Sequence, residues 1–214
     1  MPTNIRLYSA SSFEQAWEEV LAPWFKRELQ IACHNSLPCA AVVPSHALTS
    51  LLKTRLVHAR LPLFAIHLWT PEDLGKYLRK CCLPGNNIAL REDLRLLMAT
   101  AADDFPEFPV AAAIAADPDQ LLNAYDTLQH AAQPNVSLRG DIVRRIVSRF
   151  EELLLLSGLL SEPQANRKIA EEPSRDALHL SSLLLYGFGA REWRQRFLLK
   201  GAINSANRVS FCMP

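Results

Sequence analysis

Short apolar runs alternate with amphipathic helical segments along this 214-residue chain, and this alternation constrains its fold more than any other feature. The predicted strands of the first part cover residues 5–8, 39–43 and 63–69. A helical pattern follows each run and begins at Ser12, Ser45 or Thr70, which are residue types that cap helix N-termini. Such repetition over the first 87 residues predicts a parallel sheet with right-handed crossovers.

The middle of the chain lacks this pattern. Between residues 90 and 169 we find no strand pattern, and three amphipathic stripes predict helices near 90–101, 117–128 and 138–154. Residues 161–176 are polar and include two prolines, which favours a loop. The sequence therefore predicts an all-helical insertion subdomain over residues 88–178.

The alternation resumes near the end of the chain. Residues 183–186 form an apolar run that enters Gly187-Phe188-Gly189, and a helix at 191–206 and a fifth strand from residue 208 follow. We therefore predict a three-layer α/β domain, P-loop-NTPase-like, with about five parallel strands over 1–87 and 179–214. Because the last residues are predicted to form a strand without a covering helix, we expect an N-terminal piece of a longer protein.

Nucleotide hydrolysis is not expected, although strands and helices in this order are typical of the first lobe of a nucleotide-dependent motor. Such a lobe needs G-x-x-x-x-G-K-[ST] after its first strand and an acidic pair after a later one. The first turn, residues 9–14, has neither Gly nor Lys, and Glu14 would repel a phosphate. The turn after 183–186 has no carboxylate before Glu192. We predict no catalytic residue and no cofactor.

The composition narrows the class of partner. Twenty-three basic and 22 acidic residues give a net charge of +1, so the chain as a whole does not attract polyanions. The five cysteines form no C-x-x-C pair, which predicts reduced thiols, a cytoplasmic protein and no metal site. No apolar run approaches the length of a membrane span, so we expect no membrane partner.

Three segments resemble known proteins. Ala41-Val42-Val43-Pro44-Ser45-His46-Ala47-Leu48 and Ile66-His67-Leu68-Trp69-Thr70-Pro71-Glu72-Asp73-Leu74 resemble successive strand-and-turn motifs of superfamily-1 helicase-like domains. The segment Leu183-Leu184-Leu185-Tyr186-Gly187-Phe188, followed by Arg194-Gln195-Arg196-Phe197-Leu198-Leu199, resembles the Gly-Phe strand and helix of the AddB family. In that family an inactivated helicase-like half precedes a PD-(D/E)XK nuclease domain, which here would lie beyond residue 214.

The resemblance implies a function in DNA double-strand-break repair and recombination. It implies a non-catalytic, helicase-like domain of a helicase-nuclease subunit that lines a path for single-stranded DNA and docks a motor partner. Many AddB relatives keep a P-loop and this chain does not, so nucleotide binding is not carried over. Two alternatives stay open: a protein-interaction scaffold without DNA contact, and part of another α/β enzyme whose site lies beyond residue 214.

The candidate nucleic-acid-binding residues lie where the predicted strands end. They are Ser45, His46, Trp69, Thr70, Gly187, Phe188 and Arg191. Helicase relatives contact the DNA backbone at the positions of Ser45, His46 and Thr70, and Trp69 is the candidate base-stacking platform. Ser45 and Thr70 also fit as helix caps, and the basic residues also fit as solvated helix faces.

Overall fold

The computed structural model describes residues 4–32, 36–62, 64–132, 138–171 and 178–213. The chain divides into two compact units. One unit consists of Met1–Cys82 and Ile169–Pro214, and the other consists of Leu83–Lys168. The predicted insertion, 88–178, thus differs from the observed second unit at both boundaries.

The elements follow one another in this order along the chain: β1 (Asn4–Ser9), α1 (Phe13–Ala16), a π-helical turn (Trp17–Leu21), α2 (Ala22–Ala32), β2 (Cys39–Val42), α3 (His46–His58), β3 (His67–Trp69), α4 (Pro71–Cys82), β4 (Asn87–Ile88), α5 (Arg91–Asp103), α6 (Pro109–Ala116), α7 (Asp119–Ala131), α8 (Asp141–Leu156), β5 (Leu159–Leu160), α9 (Glu162–Glu171), β6 (Leu180–Tyr186), a 3-10 helix (Ala190–Gln195), α10 (Arg196–Asn204) and β7 (Ala206–Met213).

The first unit is built on a five-stranded sheet. Its strand order is β1-β7-β6-β2-β3, and each neighbouring pair is parallel. The predicted α/β class with a five-stranded parallel sheet is therefore confirmed. The central strand β6 is buried along its whole length, whereas β1 is mostly exposed.

One face of the sheet is covered by the helices that follow β1 and β2. Trp24 and Phe25 of α2, with Leu52 and Leu56 of α3, share a core with alternate residues of β2. Burial of such side chains stabilises the fold by about 1.5–3 kcal/mol each. The helices α4 and α10 pack against each other.

Two predictions within this unit need correction. The strand predicted at 63–69 covers only His67–Trp69, and Leu63 lies outside the described residues. Phe64 is 84% exposed and lies outside β3, so no strand partner buries this described residue. The helix predicted at 191–206 is interrupted: a 3-10 segment precedes α10, which ends at Asn204.

The second unit has its own core, formed by α5, α6, α7 and α8 around Met98, Tyr125 and Phe150. The prediction of no strand between residues 90 and 169 is wrong at β5, which pairs in parallel with β4, a two-residue strand just before that stretch. Runs this short carry no periodic signal, which is why the sequence does not show them.

The loop predicted at 161–176 is also wrong where the structure describes it. Residues 162–171 form α9, and 172–176 lie outside the described residues. Ser161 and Gln164 form a capping box: the Ser161 amide donates to Gln164 Oε1 (3.0 Å), and the Gln164 amide donates to Ser161 Oγ (3.4 Å). This Ser-x-x-Gln spacing was the missed signal. Among the described residues no helix is long and apolar enough to cross a membrane.

Candidate functional site at the carboxyl edge of the sheet

The predicted site residues follow strands that end at one edge of the sheet. In the register of the sheet, Val42 lies opposite both Trp69 and Leu185. The turns after β2, β3 and β6 therefore leave the sheet at the same level. The chain leaves β2 toward β3 and leaves the adjacent β6 in the opposite direction, toward β7. Such a reversal is where open α/β sheets bind their ligands.

The turns after β2 and β6 approach each other closely at this edge. Gly187 has φ +81°, and a Cβ atom at this position would lie 3.0 Å from Leu48 Cδ2 and 3.5 Å from Pro44 Cδ. Its amide donates to the Cys212 carbonyl (3.2 Å). Glycine is required here both by the backbone conformation and by the close approach of Leu48.

Ser45 and His46 begin α3 on the exposed side of this contact. Ser45 caps the helix, since its Oγ accepts from the Leu48 amide (3.3 Å). The hydroxyl of Ser45 is thus engaged, although its residue is exposed. His46 is exposed in the first turn of α3.

The amide and the hydroxyl of Thr70 both take part in a capping box at the start of α4. Its amide (3.0 Å) and hydroxyl (2.8 Å) both donate to Asp73 Oδ2, and Asp73 N donates back to Thr70 Oγ1 (3.4 Å). The hydrogen bond from the Thr70 amide is the main reason that the pKa of Asp73 lies below its usual 3.8. Only 5% of Thr70 is exposed, so it serves the helix rather than an external ligand.

Trp69 is less available for base stacking than the sequence predicted, and the candidate contact Phe188 is buried. Two rings already pack on Trp69: His67, with 5.0 Å between ring centroids, and Tyr77, at 4.9 Å. Phe188 is 3% exposed and belongs to the interior. Neither ring presents an open face of the kind that a nucleobase needs.

The turn after β1 is closed to phosphate. The Gln15 amide donates to the Ser12 hydroxyl (3.2 Å), so the helix cap predicted at Ser12 is present, and the Ser11 amide donates to Gln15 Oε1 (2.9 Å). Backbone amides that would hold a phosphate are therefore already used within the turn. Glu14 adds a negative charge there and is paired with Arg55 (3.0 Å).

The exposed groups of this edge are concentrated after β6. Arg191 is exposed in the 3-10 segment, and the preceding Gly189 amide donates to Glu192 Oε2 (2.8 Å), which fixes the start of that segment. Trp193 is 39% exposed, and the Arg194 guanidinium lies over its ring at 5.8 Å from the centroid. Trp193 is not among the residues that the sequence predicted for this site. The glycines at 187 and 189, which break the strand-to-helix continuity, were the available signal.

The structure thus brings the Ser45 and Gly187 turns into contact and leaves His46, Arg191 and Trp193 accessible. Among the described residues no group of three or more His, Cys, Asp or Glu side chains is arranged to hold a metal ion. Comparison with protein-family models and with curated proteins finds no match to this chain.

Proposed function

We propose that this chain is a non-catalytic, helicase-like domain of the AddB type, which lines a path for single-stranded DNA and docks a motor partner in break repair. The observation that carries the proposal is the state of the carboxyl edge. The turn after β1, where a nucleotide-dependent motor would hold phosphate, is closed by its own side chains, while the Arg191 guanidinium and the Trp193 ring stay exposed after β6.

The strand order supports a three-layer, P-loop-NTPase-like arrangement. The connections from β1 to β2 and from β2 to β3 move across the sheet in one direction, and those from β3 to β6 and from β6 to β7 move back. Right-handed crossovers in opposite directions place their helices on opposite faces. The core shared by α1, α2, α3 and one face of β2, and the separate packing of α4 on α10, agree with this inference.

The exposed groups match what single-stranded DNA binding requires. Proteins that hold single strands combine cationic groups for phosphates with aromatic faces for bases, and they need no sequence-specific contact. Arg191 supplies a guanidinium, and the Trp193 ring with Arg194 over it supplies an amphipathic stacking surface. The net charge of +1 means that binding would depend on these local groups rather than on the whole chain.

The outer strand β1 supports the part of the proposal that concerns docking of a partner protein. Among the described residues β1 pairs only with β7, so its other side offers unpaired backbone groups. Ile5 and Leu7 are 52% and 69% exposed, and Met213 of β7 is 42% exposed. Apolar side chains along a free strand edge favour association with another protein. The same strip favours the second candidate function, a scaffold that contacts proteins and not DNA.

Oligonucleotide binding by site variants and a control variant separates the two candidate functions. We expect the whole chain to bind a labelled single-stranded oligonucleotide at low salt, and Arg191→Glu and Trp193→Ala to weaken this binding. Loss of one stacked base costs about 1–3 kcal/mol. Lys53→Glu, an equal charge change at an exposed position in the middle of α3, is the control. If the parent chain binds no oligonucleotide, or the control weakens binding equally, the scaffold function is favoured.

A further inference from the structure

A buried acid of α2 pairs with two arginines, and both arginines line a small cavity that a third arginine also lines. Glu28 of α2 is 1% exposed. Its Oε1 accepts from Arg27 Nε (2.9 Å), and its Oε2 accepts from Arg208 Nη2 (2.7 Å). Burying a carboxylate is unfavourable unless charge and hydrogen bonds compensate it, and these two contacts do so.

The third arginine, Arg6, faces the same space from β1. A cavity of about 90 Å³ is lined by Arg6, Arg27, Arg208, Asn4, Val209 and Ser210. Arg6 is exposed, and the described part of the chain gives it no hydrogen bond or ion pair. Among the described residues, the polar side chains lining this cavity are guanidinium, amide and hydroxyl groups, without a carboxylate.

The charges around this cavity do not balance. Three guanidinium groups and the single carboxylate of Glu28 leave a net charge of +2 in a small volume. One guanidinium would neutralise Glu28, and the other two repel each other when no anion lies between them. Glu28 engages only Nε of Arg27 and one Nη of Arg208, so it orients both groups while leaving their other N–H donors unused by it.

We propose that this cavity binds a phosphate group. Guanidinium groups have the fork geometry that pairs with phosphate oxygens, and a dianionic phosphate would neutralise the +2 charge. The cavity of about 90 Å³ has room for a compact tetrahedral oxyanion. The ligand is therefore inorganic phosphate or a terminal phosphate monoester, and Glu28 is a positioning residue.

This site is independent of the proposed DNA path. It lies at the amino ends of the strands, whereas Arg191 and Trp193 follow the carboxyl end of β6. Arg6 is the residue to vary because no described contact depends on it. Arg27 and Arg208 also compensate the buried Glu28, so their loss would change folding as well as binding.

The test uses the whole chain, labelled with ¹⁵N, and inorganic phosphate titrated against chloride at equal ionic strength. We expect saturable shifts of arginine Nε–Hε resonances with phosphate only, and a higher melting temperature in phosphate. Arg6→Ala should weaken binding about tenfold, as expected for a lost charge-assisted contact. The phosphate affinity of Arg6→Lys should lie between those of the parent and Arg6→Ala, and Lys53→Ala should bind phosphate as the parent does.

Single-stranded oligonucleotides with and without a 5′-phosphate then distinguish the two sources of the group. If only the phosphorylated strand displaces inorganic phosphate, the cavity binds a nucleic-acid end. If neither strand displaces it, the cavity binds free phosphate. Equal effects of phosphate and chloride would overturn the proposal. So would unchanged phosphate affinity in a folded Arg6→Ala variant.

Discussion

The two edges of the sheet use their polar groups in opposite ways. At the carboxyl edge, Ser12, Ser45 and Thr70 each bond to backbone groups a few residues away, so local contacts satisfy them. At the amino edge, Arg27 and Arg208 bond to Glu28, which is distant in sequence from Arg208. Residue types that are typical of ligand sites therefore act as helix caps at the carboxyl edge, whereas the amino edge carries more positive than negative charge.

The largest expected effect comes from the buried acid of the amino edge. Glu28→Ala should lower the free energy of unfolding by about 2 kcal/mol, because Arg27 and Arg208, whose side chains are 38% and 33% exposed, each lose a charge-assisted hydrogen bond. Urea denaturation at neutral pH measures this loss, with Glu18→Ala, an exposed acid earlier on the same helical segment, as the control. A loss below about 1 kcal/mol would mean that Arg27 and Arg208 reach solvent without Glu28.

The next effect concerns the contact between the two turns of the carboxyl edge. Gly187→Ala should destabilise the chain by about 1–2 kcal/mol, because an L-residue is strained at φ +81° and its Cβ would press on Leu48. Gly189→Ala is the matched control. Its added Cβ would lie 3.7 Å from the nearest atom, Glu192 Oε2, and the φ of Gly189 is −134°. Similar melting temperatures for the two variants would show that the close approach of Leu48 is not needed.

A smaller, pH-dependent effect is expected at the start of α4. Asp73→Asn should cost about 1 kcal/mol at neutral pH, as the loss of a helix-capping interaction does. The pKa of Asp73 is lowered on folding, so its stabilising effect is present above its usual value of 3.8 and is lost as the pH falls through the lower folded value. The stabilities of parent and variant should therefore converge as the pH falls below the lowered folded value. A difference that stays constant from pH 7 to pH 2 would contradict the role of the ionised carboxylate.

The features that could be predicted from the sequence are those that depend on local periodicity and residue type. The parallel sheet follows from the βα repetition, and the caps at Ser12, Ser45 and Thr70 follow from residue types just before helical stripes. The two-residue strands β4 and β5 were missed because pairing between distant segments, rather than local pattern, creates them.

The candidate site was predicted less completely than the fold. The carboxyl ends of the strands do meet at one edge, as parallel topology requires. Burial of Phe188 and exposure of Trp193 depend on how the Gly187 turn leaves the sheet, which no periodic pattern describes. The arginine cavity was also missed, because Arg6 and Arg208 are adjacent only through the pairing of β1 with β7.

The most direct test of the proposed function is the salt dependence of single-stranded DNA binding by the whole chain. The logarithm of the association constant should fall linearly with the logarithm of salt concentration, as counterions are released from phosphates. Arg191→Glu should make the slope shallower by about 0.7, the value for one lost phosphate contact on a single strand, and Lys53→Glu should leave it unchanged. Both variants must first melt as the parent does. Equal slopes for the parent and Arg191→Glu, or no binding by the parent even at low salt, would contradict the account.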